Sequence, residues 1–158
     1  MSDTVFDRIE ALLRAHDVTP QVTHHEPVFT SEEAAAIRGV ALCSGAKALV
    51  CKCDGQMVMF VVPADRRLDS KAVRREAGWR KIRFASQDEV LEITGLRPGS
   101  IPPFGSLFEL PTCCDPALGT NERINFNAGD HAISVSITYA DYVRAENPRM
   151  MACSKLPE

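Results

Sequence analysis

The stretch AKALVCKCDGQMVMFVVPAD, residues 46–65, decides the fold. Asp54-Gly55 stands between two runs rich in β-formers, and this dipeptide favours a two-residue turn with positive φ at both central positions. The stretch therefore reads as a β-hairpin. Pairing Cys53 with Gln56 sets Lys47 opposite Val62, Leu49 opposite Phe60 and Cys51 opposite Val58, all on one face. Ala48, Val50, Met57, Met59 and Val61 share the other. Because both faces are largely apolar, the hairpin is expected at the centre of a sheet covered on both sides. Lys47 is the exception, since an unpaired ammonium beside Leu49, Phe60 and Val62 is costly. Two readings stand level: a strand-end lysine whose stem packs while its amine reaches water, or an amine at a pocket mouth.

Outward from the hairpin, residues 4–16 set Val5, Ile9, Leu12 and Leu13 on one helical face. Residues 18–24 read as a short strand, and Pro20 argues for an edge. Thr30 and Glu33 form a capping-box pair before a helix that Gly39 closes, and Ser86, Glu89 and Gly95 repeat the device. A second hairpin joins RINFN (123–127) to HAISVSI (131–137) around Ala128-Gly129-Asp130, and Thr138 caps a last helix ended before Pro148. Helices and strands intermix without a regular βαβ period. The expected fold is α+β: a single domain with a strongly curved, mainly antiparallel sheet flanked by helices. Residues 1–147 are assigned to it, and the polar stretch 148–158 to a loose tail.

At 158 residues the chain can bury a real core, and 45% hydrophobic content excludes a disordered chain. No apolar run approaches the ~20 residues that cross a bilayer. The acidic, polar start MSDTVFDRIE lacks the features of a secretory signal, so the expectation is a cytoplasmic protein without a membrane partner. The six cysteines then read as reduced thiols. Cys51-x-Cys53 and the adjacent Cys113-Cys114 lack the C-x-x-C spacing of zinc knuckles, so apolar filler is the expected role and no metal site is assigned.

A net charge of −3 offers no overall case for nucleic acid. Residues 65–83, DRRLDSKAVRREAGWRKIR, are basic nonetheless. They read as a solvated helix face that could add a few backbone contacts, with Trp79 half-buried.

The least ordinary segment is GLRPGSIPPFG, residues 95–105. Three glycines and three prolines exclude both a helix interior and a central strand, leaving a stiff, bent loop with backbone to present. Together with HEPVFTSEEAAAIRG (25–39), GAKALV (45–50), GSIPP (99–103) and FNAGDHAISVSITYADYV (126–143), this chain resembles the YbaK and prolyl-tRNA-synthetase-associated editing domain family over residues 5–146. The resemblance implies a trans-acting hydrolase of the ester that joins a wrong amino acid to tRNA, with cysteinyl or alanyl esters on proline tRNA as the expected substrates. It implies no cofactor. The expected partners are the aminoacyl 3′ end of tRNA and an aminoacyl-tRNA synthetase.

Lys47 matches the family's essential lysine, and Gly99 and Pro103 match its G-x-x-x-P motif. Ser100, Ile101 and Pro102, inside that motif, are expected against the substrate. Thr30 and His25 are expected to face the same pocket, as is His131, although a strand-end or turn histidine with local hydrogen bonds is the commoner fate. The chemistry asks for positioning and charge stabilisation more than a strong nucleophile, because the ester is already activated. Two other readings compete: a non-catalytic module that captures the tRNA end or docks on a synthetase, and a thiol-based redox or metal protein.

Overall fold

In the computed structural model, which describes residues 4–157, Thr4 and Asp7 cap helix α1 (Val5–Ala15) reciprocally. Its Ile9 and Leu13 are fully buried, and Val5 and Leu12 flank them against the main core. Strand β1 (Gln21–His24) follows Pro20 and lies at a sheet edge. Helix α2 (Ser31–Arg38) carries the Thr30–Glu33 capping box and ends on Gly39 in the left-handed conformation, φ 69°.

Strands β2 (Ala46–Cys53) and β3 (Gln56–Pro63) pair in the register read from the sequence, Lys47 with Val62 and Cys53 with Gln56. Asp54 and Gly55 both take positive φ, 50° and 88°. The Asp54 carboxylate accepts from the Arg80 and Lys81 amides, fastening the hairpin tip to the segment that pairs with β2. After β4 (Arg67–Leu68) comes α3 (Ser70–Ala77), capped by Asp69, which buries Ala72 and Val73. Its arginines and Lys71 are exposed, as a solvated face requires. Trp79 is half-buried, edge-on to Phe60 at 6.2 Å.

Strand β5 (Ile82–Phe84) pairs with β2, and α4 (Gln87–Thr94) runs between Ser86 and Gly95 as its caps foretell. Strands β6 (Thr112–Cys114), β7 (Arg123–Asn127) and β8 (Ile133–Thr138), helix α5 (Tyr139–Glu146), and short strands β9 (Arg149–Met150) and β10 (Ser154–Lys155) complete the chain. The fold is α+β, as expected. Its main sheet has the order β5-β2-β3-β6-β9, with the hairpin inside it, and a second sheet has the order β1-β8-β7. Most pairings are antiparallel; β6 runs parallel to both β3 and β9. An isolated bridge between Gly45 and Asn125 joins the two sheets at one corner.

The two apolar faces of the hairpin open onto two cores. Val50, Met59 and Val61 join Ile9, Leu13, Phe104, Phe126 and Tyr142 on one side. Cys51, Cys53, Val58, Phe60 and Val62 meet Val73, Met151 and Cys153 on the other. Each large apolar side chain sealed in this way contributes about 1.5–3 kcal/mol.

The expectation of a loose tail after residue 147 is corrected. Met151 and Cys153 are buried, β9 pairs with β6, and β10 pairs with β4. The buried Asp115 carboxylate explains the docking: its Oδ2 accepts from the Cys153 amide (3.0 Å), the Ser154 amide (2.8 Å) and the Ser154 hydroxyl (2.6 Å). A polar composition concealed this, because the partner lies almost forty residues upstream.

Candidate functional site

Beside the corner where the two sheets meet lies a cavity of about 200 Å³. The start of β2 supplies Lys47 to its wall, α2 supplies Thr30 and Arg38, and the bent loop supplies Gly99 and Ile101. The lysine and the loop, some fifty residues apart in sequence, converge on one site. Among the described residues no carboxylate lines this cavity.

Lys47 enters on the second residue of its strand, half-buried. Its Nζ donates to the Arg66 carbonyl at 2.7 Å, and the ammonium keeps further N–H donors. Burial lowers its pKa from the ordinary lysine value, opposed by the charges of Glu32 and Asp65. The two readings of Lys47 thus merge: the strand-end residue is also the amine at the pocket.

The loop is held from several sides. Gly99 has φ 94°, a conformation that strains any side chain, and a Cβ there would come 3.5 Å from His131 Cε1. Its carbonyl accepts from the Asn127 side chain at 2.7 Å. Ser100, 3% exposed, turns its hydroxyl onto the Arg97 carbonyl, and its own carbonyl accepts from the Gly129 amide at 2.9 Å. Pro102 and Pro103 are buried, and the Pro103 carbonyl accepts from the Tyr142 hydroxyl at 2.7 Å inside the core. Ser100, Pro102 and Pro103 therefore lie behind the cavity wall, while Gly99 and Ile101 form part of it.

The histidines also stand one layer back. His131 is bonded to the Val28 carbonyl (3.1 Å) and packs 4.8 Å from the ring of Phe29, which does line the cavity. His25 contacts the Glu26 carbonyl through Nδ1 and the Ser134 hydroxyl through Nε2, both at 2.7 Å. A ring nitrogen facing a carbonyl carries the proton, so in the neutral ring Nε2 accepts from Ser134.

Arg38 is the residue that sequence reasoning missed. It sits in the last turn of α2, where a basic side chain ordinarily complements the helix dipole. Instead its Nε donates to Ser134 at 2.8 Å and its Nη2 to the Asn127 side-chain oxygen at 2.9 Å. None of the ion pairs among the described residues includes it. Burial pushes the guanidinium down to about 10, still charged at neutral pH. Arg38, Asn127 and the Gly99 carbonyl form a continuous relay from α2 to the loop.

The thiols take no part. Cys51, Cys53, Cys113, Cys114 and Cys153 are buried, and burial raises all five, Cys51 and Cys114 to about 12 and Cys53 to about 11. They are protonated filler at neutral pH. Cys43 is half-buried beside Asn121, and no group of three or more possible metal ligands occurs among the described residues.

Comparison with known proteins places this chain in a family. The model of the aminoacyl-tRNA editing domain matches residues 25–145. The chain belongs to the aminoacyl-tRNA editing domain family. It is 38% identical to the multifunctional Ser/Thr-tRNA deacylase ProXp-y of Escherichia coli K12, over 91% of this chain and 89% of that one. It is also 29% identical to proline–tRNA ligase of Bacillus licheniformis, across 77% of this chain and only 23% of the ligase. The solved structure of the hypothetical protein APE2540 superposes with a TM-score of 0.86 at 25% identity, covering 94% of this chain and 99% of that one. Lys47, Gly99 and Ile101 of this editing domain line one and the same cavity. Among the described residues no helix is long and apolar enough to cross a membrane.

Proposed function

We propose that the protein hydrolyses the ester bond of mischarged aminoacyl-tRNA, with the aminoacyl end seated in the 200 Å³ cavity between Lys47 and the Gly99 loop. One observation carries the reading: the convergence of that ammonium and that rigid backbone on one space, in whose wall no carboxylate occurs among the described residues. Lys47 holds the phosphate of the terminal nucleotide, an attraction that the low local dielectric around its half-buried ammonium strengthens. The loop keeps the ester carbonyl in register while a water adds to it. The ribose oxygen then leaves with a proton, releasing the free amino acid and the tRNA. A Schiff base through Lys47 has no place here, because an ester carbonyl is a poor partner for one.

The cavity suits a small side chain. Cysteine and alanine on proline tRNA are the esters expected from the sequence resemblance; the likeness to a Ser/Thr-tRNA deacylase supports adding serine and threonine, which this proposal ranks first. The Thr30 hydroxyl oxygen accepts from the Glu33 amide, leaving its O–H free to donate to a substrate hydroxyl. A site that hydrogen-bonds such a hydroxyl discriminates strongly against an analogue lacking it. The test is deacylation of tRNA charged with serine, threonine, alanine or cysteine. Release of none of them above the buffer blank refutes the proposal, and release of alanine or cysteine alone refutes the serine and threonine preference.

A further inference from the structure

A second hollow, a groove of about 450 Å³, adjoins the first and shares Arg38, Val40, Ala41 and Asn125 with it. It lies on the outer face of the β1-β8-β7 sheet. Register explains its character. Gln21 pairs with Ser136, Thr23 with Ser134, and Asn125 with Ser136, so polar side chains fall together on one face. The alternate residues Phe126, Val135 and Ile137 are buried in the main core.

Two guanidinium groups stand in this wall, Arg38 toward the first cavity and Arg123 on β7. Arg123 is held by two bonds to one residue, Nε to the Ser136 hydroxyl (3.0 Å) and Nη2 to the Ser136 carbonyl (3.1 Å). A planar fork fixed in this way presents its remaining N–H groups in a set direction. Among the described residues no aspartate or glutamate lines the groove, although the chain has 21 acidic residues against 18 basic ones. Asp141, which feels the Arg123 charge, is already bonded to Arg144 at 2.7 Å. An open trough of hydroxyls and amides with fixed cations and no anions suits a chain of phosphodiesters.

We infer that this groove binds the ribose–phosphate backbone of the single-stranded RNA leading into the first cavity, with Arg123 on a phosphate upstream of the terminal nucleotide. The inference rests on the proposed function for the occupant's identity. It directs the strand over the polar face of β1-β8-β7 and away from the basic helix α3.

The test is fluorescence anisotropy with a short labelled single-stranded RNA carrying the tRNA 3′ terminus, uncharged, titrated at several salt concentrations. Arg123→Ala is expected to weaken binding on the order of tenfold, the size of a lost charged hydrogen bond. It should also flatten the salt dependence by about 0.7 in log–log slope. Gln21→Glu, an exposed and nearly isosteric change, should weaken binding without disturbing the fold. Arg75→Ala, which removes an exposed charge from α3, should leave binding unchanged. Wild-type affinity in both Arg123→Ala and Gln21→Glu overturns the inference, as does an equal loss in Arg75→Ala. Binding is read without hydrolysis, so a protein that deacylates nothing refutes the proposed function while this result still decides the groove.

Discussion

The side-chain amide of Asn127 donates to the Gly99 carbonyl at 2.7 Å, while its oxygen accepts from Arg38 at 2.9 Å. One side chain at the end of β7 thus ties the bent loop to helix α2. The carbonyl of Gly99, whose φ of 94° suits glycine alone, is held by a strand-end amide, itself oriented by a desolvated guanidinium. Loop position is therefore set by β7 and α2 together.

This relay makes a coupled prediction. Arg38→Ala and Asn127→Ala should each lower kcat/KM by on the order of tenfold, and the double variant should lose little more than either alone. Arg38→Lys should not restore activity, since one ammonium cannot reproduce separate donors to Ser134 and Asn127. A double-mutant cycle on deacylation measures the coupling. Fully additive losses would show that the two residues act independently.

Lys47→Ala should remove most turnover while shifting the melting temperature little, because a half-buried residue at the strand entrance contributes little packing. A large fall in melting temperature would contradict that. The pH dependence has a definite sign. Burial disfavours the ammonium, so Lys47 loses its proton below the ordinary lysine value of 10.5. Anchoring of an anion by Lys47 is complete below that depressed pKa and is lost as pH rises through it. Carbon-13 NMR of the lysine Cε resonances should show the Lys47 midpoint below 10.5.

Gly99→Ala tests the loop from within. At φ 94° a side chain is strained whatever the space, and the cost should be about 1–2 kcal/mol. The loop relieves it by moving, so activity should fall further than stability. Urea denaturation and deacylation measured on the same variant separate the two effects. A fully active Gly99→Ala would mean that the loop backbone does not position the ester.

The thiols offer a chemical check. Burial raises Cys51, Cys53, Cys113, Cys114 and Cys153, which leaves them protonated and inaccessible at pH 8. Iodoacetamide under native conditions should add at most one group per chain, at Cys43, and mass spectrometry reads the count. Several rapid additions would revive the redox reading set aside on burial.

What was legible in the sequence was local. Asp54-Gly55 fixed the central register, the Thr30–Glu33 and Ser86–Glu89 pairs marked two helix starts, and apolar residues on both hairpin faces foretold two cores. Lys47 could be singled out because its charge broke an apolar face. Arg38 could not. Its partners Asn127 and Ser134 lie about ninety residues away, and a lone arginine in a helix's last turn ordinarily needs no further explanation. The division into two sheets joined at Gly45 and Asn125 was equally hidden, since a single backbone bridge leaves no pattern in either segment. The docked C-terminus depended on another distant partner.

That last misreading yields the sharpest stability prediction. Asp115 Oδ2 gathers three donors from Cys153 and Ser154, while its Oδ1 accepts from the Ala117 amide at 2.8 Å. Asp115→Ala leaves those donors without their acceptor, and hydrogen bonds to a charged group are worth about 1.5–3 kcal/mol each before relaxation. A loss of about 3 kcal/mol or more is expected. Deleting residues 149–158 should cost at least as much, because it also uncovers the core around Val58 and Phe60, where Met151 and Cys153 are buried. Both variants act on the far face of the central hairpin from Ile9 and Phe126, so α1 and the β1-β8-β7 sheet should hold longest. Hydrogen exchange should then rise first in β4, β6 and α3, before it rises in β7 and β8. A truncated chain as stable as the full one, or exchange that rises uniformly, would mean that the terminal strands merely rest on the core and do not close it.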